Sequence, residues 1–203
     1  MTFGDLTVRF DQRVLRPRPW TLAQSLWAAA LAQHLPKGPI LELCAGVGHI
    51  GLHLASLVRR DLTQIDADAI ACEHARLNAA TANLDVQVDV RHGLIDQVVQ
   101  PQEQFTLILA DPPWVATADT GNYPFDPLSA IDGGYDGLDL ARTCLQVMDR
   151  HLCQGGAGVL QLGTTEQAAQ VETYLATQTQ LKLRLVAVRA IPGANGVLTH
   201  LTR

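Results

Sequence analysis

The sequence has no surplus of positive charge. Its 15 Lys and Arg are outnumbered by 20 Asp and Glu, for a formal net charge of −5 and a pI near 5.7. That leaves no broad basic face and argues against nucleic-acid binding by this chain alone, because neutralising phosphates takes clustered Lys and Arg. A cysteine framework is also missing. Cys44, Cys72, Cys144 and Cys153 lie far apart and contain no C-x-x-C pair, which suits reduced thiols in a cytoplasm-like compartment. There is no basic-then-apolar leader and no apolar run of membrane-spanning length. A cytoplasmic protein without a membrane partner is therefore expected. Internal repeats and low-complexity tracts are absent too.

What is present is 203 residues, 47% of them apolar, enough for one good core and one domain. Runs rich in Val, Ile and Leu alternate with helix-patterned segments, as in a largely parallel sheet with helices on both faces. Strands are predicted at Pro39–Cys44, Asp61–Ile65, Leu84–Val90, Phe105–Ala110 and Gly158–Leu162. Helices are predicted at His49–Val58, Ala67–Ala80, Leu138–Leu152 and Thr165–Thr177. Two strand-like runs at the end, joined by Pro192-Gly193-Ala194-Asn195-Gly196, read as a hairpin. The expected fold class is α/β, a Rossmann-like sheet closed by an antiparallel C-terminal hairpin. Residues 1–37 are read as a lead-in segment with one helix in "QSLWAAALAQHL", part of the same domain as residues 38–203. Val115 to Tyr135 is the one long irregular connection, and such loops tend to be functional.

"ELCAGVGHIG" sets Gly46, Gly48 and Gly51 in G-x-G-x-x-G spacing between a strand and a helix. The glycines permit a tight turn and close approach of backbone to ligand. Asp66 ends the next strand, where a carboxylate takes both hydroxyls of a ribose. Spacing alone allows an NAD site. Glu42, four residues before Gly46, separates the cofactors. Its charge repels a pyrophosphate but not a sulfonium or an ammonium. The pattern E-x-x-x-G-x-G resembles motif I of class I S-adenosylmethionine (SAM) methyltransferases, which implies that Glu42 orients the methionine end of SAM.

The apolar run Phe105–Ala110 stops at Asp111-Pro112-Pro113-Trp114. By the rule for open α/β sheets this end faces the ligand crevice. Two prolines fix φ and free the Pro112 carbonyl from strand duty. A planar –NH2 group has two donors in one plane. Asp111 accepts one, the Pro112 carbonyl accepts the other, and Trp114 stacks on the flat face. Carboxamides, adenine N6 and cytosine N4 all fit. Transfer there needs positioning and electrostatics and no covalent intermediate.

These residues resemble the HemK/PrmC-type N5-glutamine methyltransferases and their N-P-P-Y relatives. Pro17–Thr21, "PRPWT", resembles that family's P-R-P-E-T, "DPPW" stands for N-P-P-Y, and "FDPLSAIDGGYDGLDL" resembles its y-E-P-x-x-A-L-x-G-G-x-D-G-L. The resemblance covers roughly residues 17–163 and implies a seven-stranded class I methyltransferase fold. It implies SAM as cofactor, with S-adenosylhomocysteine (SAH) as product, held by Glu42, Cys44, Gly46, Gly48, Asp66, Ala67, Gly93 and Asp111. Asp111, Pro112 and Trp114 are the candidate catalytic residues; Pro113, Trp114, Tyr123 and Trp20 are candidate walls of the substrate site. Four departures stand out. Asp111 replaces Asn, Trp114 replaces Tyr, Leu94 takes the place of an acid beside the adenine, and the segment before residue 38 is too short for the family's helical recognition domain.

Transfer of a methyl group to a protein glutamine or another carboxamide ranks first among expected activities. A nucleic-acid base comes second and a small metabolite third. The expected partner is thus a protein or small-molecule acceptor. Rival readings are an NAD-dependent oxidoreductase and a non-catalytic SAM-fold binding subunit. His49 and His53, at i,i+4, have no Glu between them and no third ligand, so no metal is expected. Asp132, Asp136 and Asp139 lack EF-hand spacing and suit turn and cap roles. Arg16 and Arg18 beside Trp20 read as a lid over the cofactor, a grip on an acidic substrate, or a solvated entry segment.

Overall fold

The structure, a computed structural model, describes residues 1–194 and 196–203. The chain opens on a small hairpin, β1 (Thr2–Phe3) and β2 (Leu6–Thr7), then reaches a 3-10 turn at Pro19–Thr21 and helix α1 (Leu22–Ala32). Next come β3 (Ile40–Leu43), α2 (His49–Val58), β4 (Leu62–Asp66), α3 (Ala69–Ala82), β5 (Val88–His92) and β6 (Phe105–Ala110). After a 3-10 turn at Thr117–Asn122 follow α4 (Leu128–Ile131), α5 (Asp139–His151), β7 (Leu152–Leu162), α6 (Thr165–Thr177), β8 (Arg184–Ala190) and β9 (Val197–Thr202).

Seven strands form one sheet in the order β5-β4-β3-β6-β7-β9-β8. β3 to β7 pair in parallel, and β9 runs antiparallel between β7 and β8. This is the expected class I methyltransferase architecture. The predicted terminal hairpin forms, although Asn195 in its turn lies outside the described residues.

Boundaries moved where period-two patterning is weak. β7 begins at Leu152 rather than Gly158, because Leu152 pairs with Phe105 across a register shift and so extends the strand. β5 lies at Val88–His92 rather than Leu84–Val90, in register with β4 from Leu62 to Asp66. The short β1–β2 hairpin was not predicted; two-residue strands carry no periodicity. The connection 115–135 is less irregular than expected. Besides the 3-10 turn and α4, it bridges Val115 to Asp132 in parallel, with Val115 N–H donating to Ile131 at 3.0 Å and Gly133 N–H to Val115 at 2.8 Å.

Two cores lie on opposite faces of the sheet. One joins Leu41, Leu43, Ile108 and Leu160 to α5 and α6 through Leu145, Met148 and Val171. The other joins Ile40, Leu107, Leu109 and Val159 to α1 and α2 and to Phe3, Val8 and Val14 of the N-terminal segment. Alternation along β3 therefore turns Leu41 and Leu43 to one face, and Ile40 and Glu42 to the other. From β3 the chain winds outward through β4 to β5, then returns to start β6 on the other side of β3. The strand order reverses between β3 and β6, which opens a ligand crevice beyond their carboxyl ends.

Candidate active site

The glycine turn leaves β3 through Cys44, whose φ of 57° is left-handed, and Gly46, at φ 54°. Its geometry is set by the neighbouring strand. Asp66 accepts the Gly46 N–H at 2.6 Å on one carboxylate oxygen and the Asp68 N–H at 2.8 Å on the other. Both oxygens keep lone pairs for further donors. Burial holds the Asp66 carboxyl above its ordinary pKa. Asp68 then caps α3, accepting the Ile70 N–H at 2.8 Å.

Glu42 sits beneath this turn, 2% exposed, and is not part of the crevice wall. One carboxylate oxygen accepts the Gly51 N–H at 3.0 Å; the other accepts from Gln64 Nε2 at 2.5 Å. Gln64 Nε2 also donates to the Gly48 carbonyl at 2.9 Å. A side chain on Gly51 would overlap the Glu42 carboxylate, so the third glycine of the motif is required by the acid under it. Glu42 thus braces the loop from below. Burial, only partly offset by these bonds, pushes its carboxyl up to about 8.

Beyond the strand ends lies a cavity of about 590 Å³, a volume suited to a nucleoside-sized ligand. Of the predicted cofactor residues Cys44, Gly46, Asp66, Ala67 and Asp111 line it, with Pro113 beside them; Glu42, Gly48 and Gly93 do not. Gly48 is the N-cap of α2, and Gly93 follows β5, its N–H donating to the Asp66 carbonyl at 2.9 Å. The half-buried Cys44 thiol, with Cys144 as its neighbour, is held above its ordinary pKa.

Sequence reasoning missed Asp96. Leu94 occupies the expected place of an acid, but the turn after Gly93 brings Asp96 to the cavity wall two residues later, with Leu94 and Ile95 forming an apolar face next to it. The signal lies in "GLIDQV", where the acid stands two residues past the expected position.

The donor set discriminates between cofactors. Four aspartates, at 66, 68, 96 and 111, face the cavity, and no Lys or Arg does. A pyrophosphate would meet like charge and no partner, which counts against NAD. SAM fits: Asp66 suits a ribose diol, Leu94 and Ile95 with Asp96 an adenine, and the acidic lining as a whole a cationic sulfonium and ammonium.

The N-terminal segment forms part of the mouth. Asn78 on α3 grips Arg9, accepting its N–H at 2.7 Å and donating to its carbonyl at 2.9 Å. Val14 and Leu15 then line the cavity, as do Pro127, Ser129 and Ala130. Arg18 reaches across to Asp126 at 2.5 Å and lies 5.7 Å from the Trp20 ring centroid. The two walls are thereby clasped. Substituting Arg18→Ala is expected to raise the SAH Kd by about threefold to tenfold, as fits a partly buried ion pair; calorimetric titration at low and high salt checks this.

The turn after β6 supplies the second half of the site. Asp111 is partly buried and lines the cavity, and no donor among the described residues bonds to its side chain; burial pushes it up to about 7. The neighbouring Pro112 is buried and not in the cavity wall; its carbonyl likewise has no donor among the described residues. Trp114 stands outside the cavity wall, its ring laid against Gly163 at the end of β7. Trp20 and Tyr123 are not in the wall either, at 36% and 40% exposure.

The smaller features resolve into structure. His49 and His53 are buried under the N-terminal hairpin, where Phe3 meets both edge-on, and burial pushes His49 down to about 3. Asp132 accepts from Thr117 Oγ1 and the Gly134 N–H, and Asp136 accepts from the Leu138 N–H and from Arg142. Among the described residues no helix is long and apolar enough to cross a membrane.

Comparison with known proteins agrees with this geometry. Residues 24–123 match the family model of the methyltransferase small domain. The release factor glutamine methyltransferase of Mycolicibacterium smegmatis is 31% identical over 85% of this chain and 62% of its own length. That of Deinococcus radiodurans is 32% identical over 79% and 58%, and the ribosomal protein uL3 glutamine methyltransferase of Francisella tularensis 27% over 82% and 55%. The chain spans about three fifths of the length of such relatives. Among solved structures, the human METTL16 catalytic domain in complex with the MAT2A 3'UTR hairpin 1 superposes with a TM-score of 0.76, covering 97% of this chain and 73% of that one, at 15% identity. A ribosomal protein L11 methylase from Lactobacillus delbrueckii superposes at 0.69, covering 97% and 84%, at 14% identity. These two likenesses concern the fold. By its motifs and its relatives the chain is similar to the SAM-dependent methyltransferases, whose small domain its residues 24–123 match, and its sheet has their class I fold.

Proposed function

We propose that this protein methylates the side-chain nitrogen of a glutamine in a protein acceptor. One observation carries the reading: on the double-proline turn at the cavity wall, the carboxyl of Asp111 and the carbonyl of Pro112, its neighbour in the chain, both lack a hydrogen-bond donor among the described residues. Two acceptors in sequence, free of other duty, suit the two coplanar N–H donors of a carboxamide. SAM, when bound, supplies a methyl group on a cationic sulfur. Asp66 and Asp96 hold the nucleoside end of the cavity, and the braced glycine turn sets its floor. Asp111 and Pro112 orient the acceptor nitrogen, and by accepting both protons they raise its electron density. Methylation leaves the nitrogen cationic and strongly acidic, so its proton departs after transfer. Positioning and electrostatics supply the rate enhancement.

A protein acceptor is supported over a polyanion by what surrounds the turn. Arg18 and Arg142 are engaged by Asp126 and Asp136, while Phe125 and Tyr135, on the connection leading from the acceptor turn, are 97% and 95% exposed. Similarity to relatives named for release factor and ribosomal protein uL3 glutamines points the same way.

The test is transfer of a labelled methyl group from SAM to four separate acceptors: a release factor, protein uL3, total RNA and a small-molecule extract. Label in a protein, abolished by Gln→Asn at the modified position, is expected; label in RNA alone overturns the proposal. In parallel, SAH at about 100 times its Kd should stabilise the protein by roughly 2.7 kcal/mol, and NAD(H) should give no shift in thermal unfolding.

A further inference from the structure

Trp114 is separated by about fifty residues from the segment that holds it. Its ring lies on the backbone of Gly163, where a side chain would overlap the indole. Its carbonyl faces Gly137, where a side chain would overlap that oxygen and stand 2.5 Å from Gln167 Nε2. Gln167, on the first turn of α6 and 8% exposed, joins all three pieces. Its Nε2 donates to the Trp114 carbonyl at 2.9 Å and to the Asp136 carbonyl at 3.2 Å. Its Oε1 accepts the Gly163 N–H at 2.8 Å. The amide has one orientation that works, since two carbonyls and one N–H leave no choice of which end is oxygen.

We infer that Gln167 is the positioning residue of the acceptor turn, setting Trp114, and through it Asp111 and Pro112, against the incoming nitrogen. This deepens the reading of Asp-Pro-Pro-Trp as the acceptor-holding turn and rests on it. Two prolines stiffen the turn along the chain, but φ restriction does not fix its tilt relative to the sheet. Tilt requires a contact from outside the turn, and the Gln167 amide is bonded at once to the turn, to the end of β7 and to the glycine loop before α5. Gln167 is not in the cavity wall, so its loss leaves the cofactor's contacts in place. A residue that only stabilised the fold would not separate these two effects.

The experiment uses the full chain with Trp20→Phe and Trp27→Phe, so that Trp114 is the sole indole. Gln167→Leu removes all three bonds. Gln167→Glu keeps an acceptor for Gly163 and turns a carboxylate on two carbonyls. Three readouts are taken: the SAH Kd, the emission maximum and acrylamide quenching of Trp114, and kcat and KM for methyl transfer to release factor.

The expected result is a SAH Kd within twofold of the parent, a red-shifted and more readily quenched Trp114, and a kcat lower by about 30-fold with little change in KM, the scale of a misplacement near 1 Å. In Gln167→Glu the emission should return toward the parent value as pH falls and the carboxyl regains a proton to donate. If Gln167→Leu does not fold, Gln167→Glu carries the same readouts. Unchanged emission overturns the inference, as does a SAH Kd that weakens in step with kcat. Emission and SAH binding need no methyl acceptor. A parent that transfers nothing to release factor thus counts against the proposed function and leaves these two readouts to decide the role of Gln167.

Discussion

Replacing Asp111 with alanine is expected to lower kcat/KM by about 10²- to 10³-fold while SAH still binds, the scale seen when one preorganised polar contact to a reacting group is lost. The carboxylate has no protein donor among the described residues and one open side, so its removal leaves a gap at the reacting nitrogen and disturbs little else. Asp111→Asn keeps an acceptor oxygen and should retain most of the rate. The two variants separate further with pH. Burial places the Asp111 pKa at about 7. Below that the group is an acid that donates; above it, a carboxylate that accepts. The acceptor nitrogen offers N–H groups, so kcat/KM should rise through about pH 7 in the parent, since this parameter follows the free enzyme. Asp111→Asn has nothing to titrate there and should lose that step. Stopped assays from pH 5.5 to 8.5 read both slopes. Intact transfer in Asp111→Ala with SAH bound would remove this residue from the site.

The second large effect is on stability. Glu42 has an unfolded-chain pKa of 4.5 and a folded value of about 8. Between those limits the folded protein holds a proton that the unfolded chain has released. Stability therefore falls as pH rises from about 4.5 to 8, and the loss is complete above the folded value. For a shift of this size the effect is on the order of 5 kcal/mol. Glu42→Gln should remove it. The new amide accepts from the Gly51 N–H and donates to Gln64 Oε1, which is buried and has no partner in the parent. Gln64 must turn for this, at the expense of its bond to Gly48. Urea midpoints at pH 5 and pH 8.5 should differ widely in the parent and much less in the variant. A residual slope of the same sign remains, because Asp66 and Asp111 are also raised by burial.

The sequence made some of this plain. His49–Val58, Phe105–Ala110 and Thr165–Thr177 have the bounds that the local pattern predicts, and the glycine turn and the start of the Asp-Pro-Pro-Trp turn meet at one cavity. What remained hidden depends on facing and on distance. β3 is buried on both faces, so no alternation marked which way Glu42 points, and it turned inward under the loop. Asp96 reached the wall because of the path taken after Gly93, which spacing from that glycine does not specify. Trp114 read as a free stacking surface; its hold on Gly163 and Gln167 spans a fold that a local reading does not connect.

The position of β9 has a consequence for assembly. This strand inserts between β7 and β8, and β8 has no other neighbour in the sheet. β8 is made first but has no strand to pair with until Val197–Thr202 emerge, so that flank of the sheet closes only after β3 to β7 are already available to pair. During that interval β7 offers an open edge, which other chains can join. Chaperone demand should thus centre on the interval before β9 docks, and a change that delays β9 should raise aggregation during synthesis more than it lowers the stability of the finished protein.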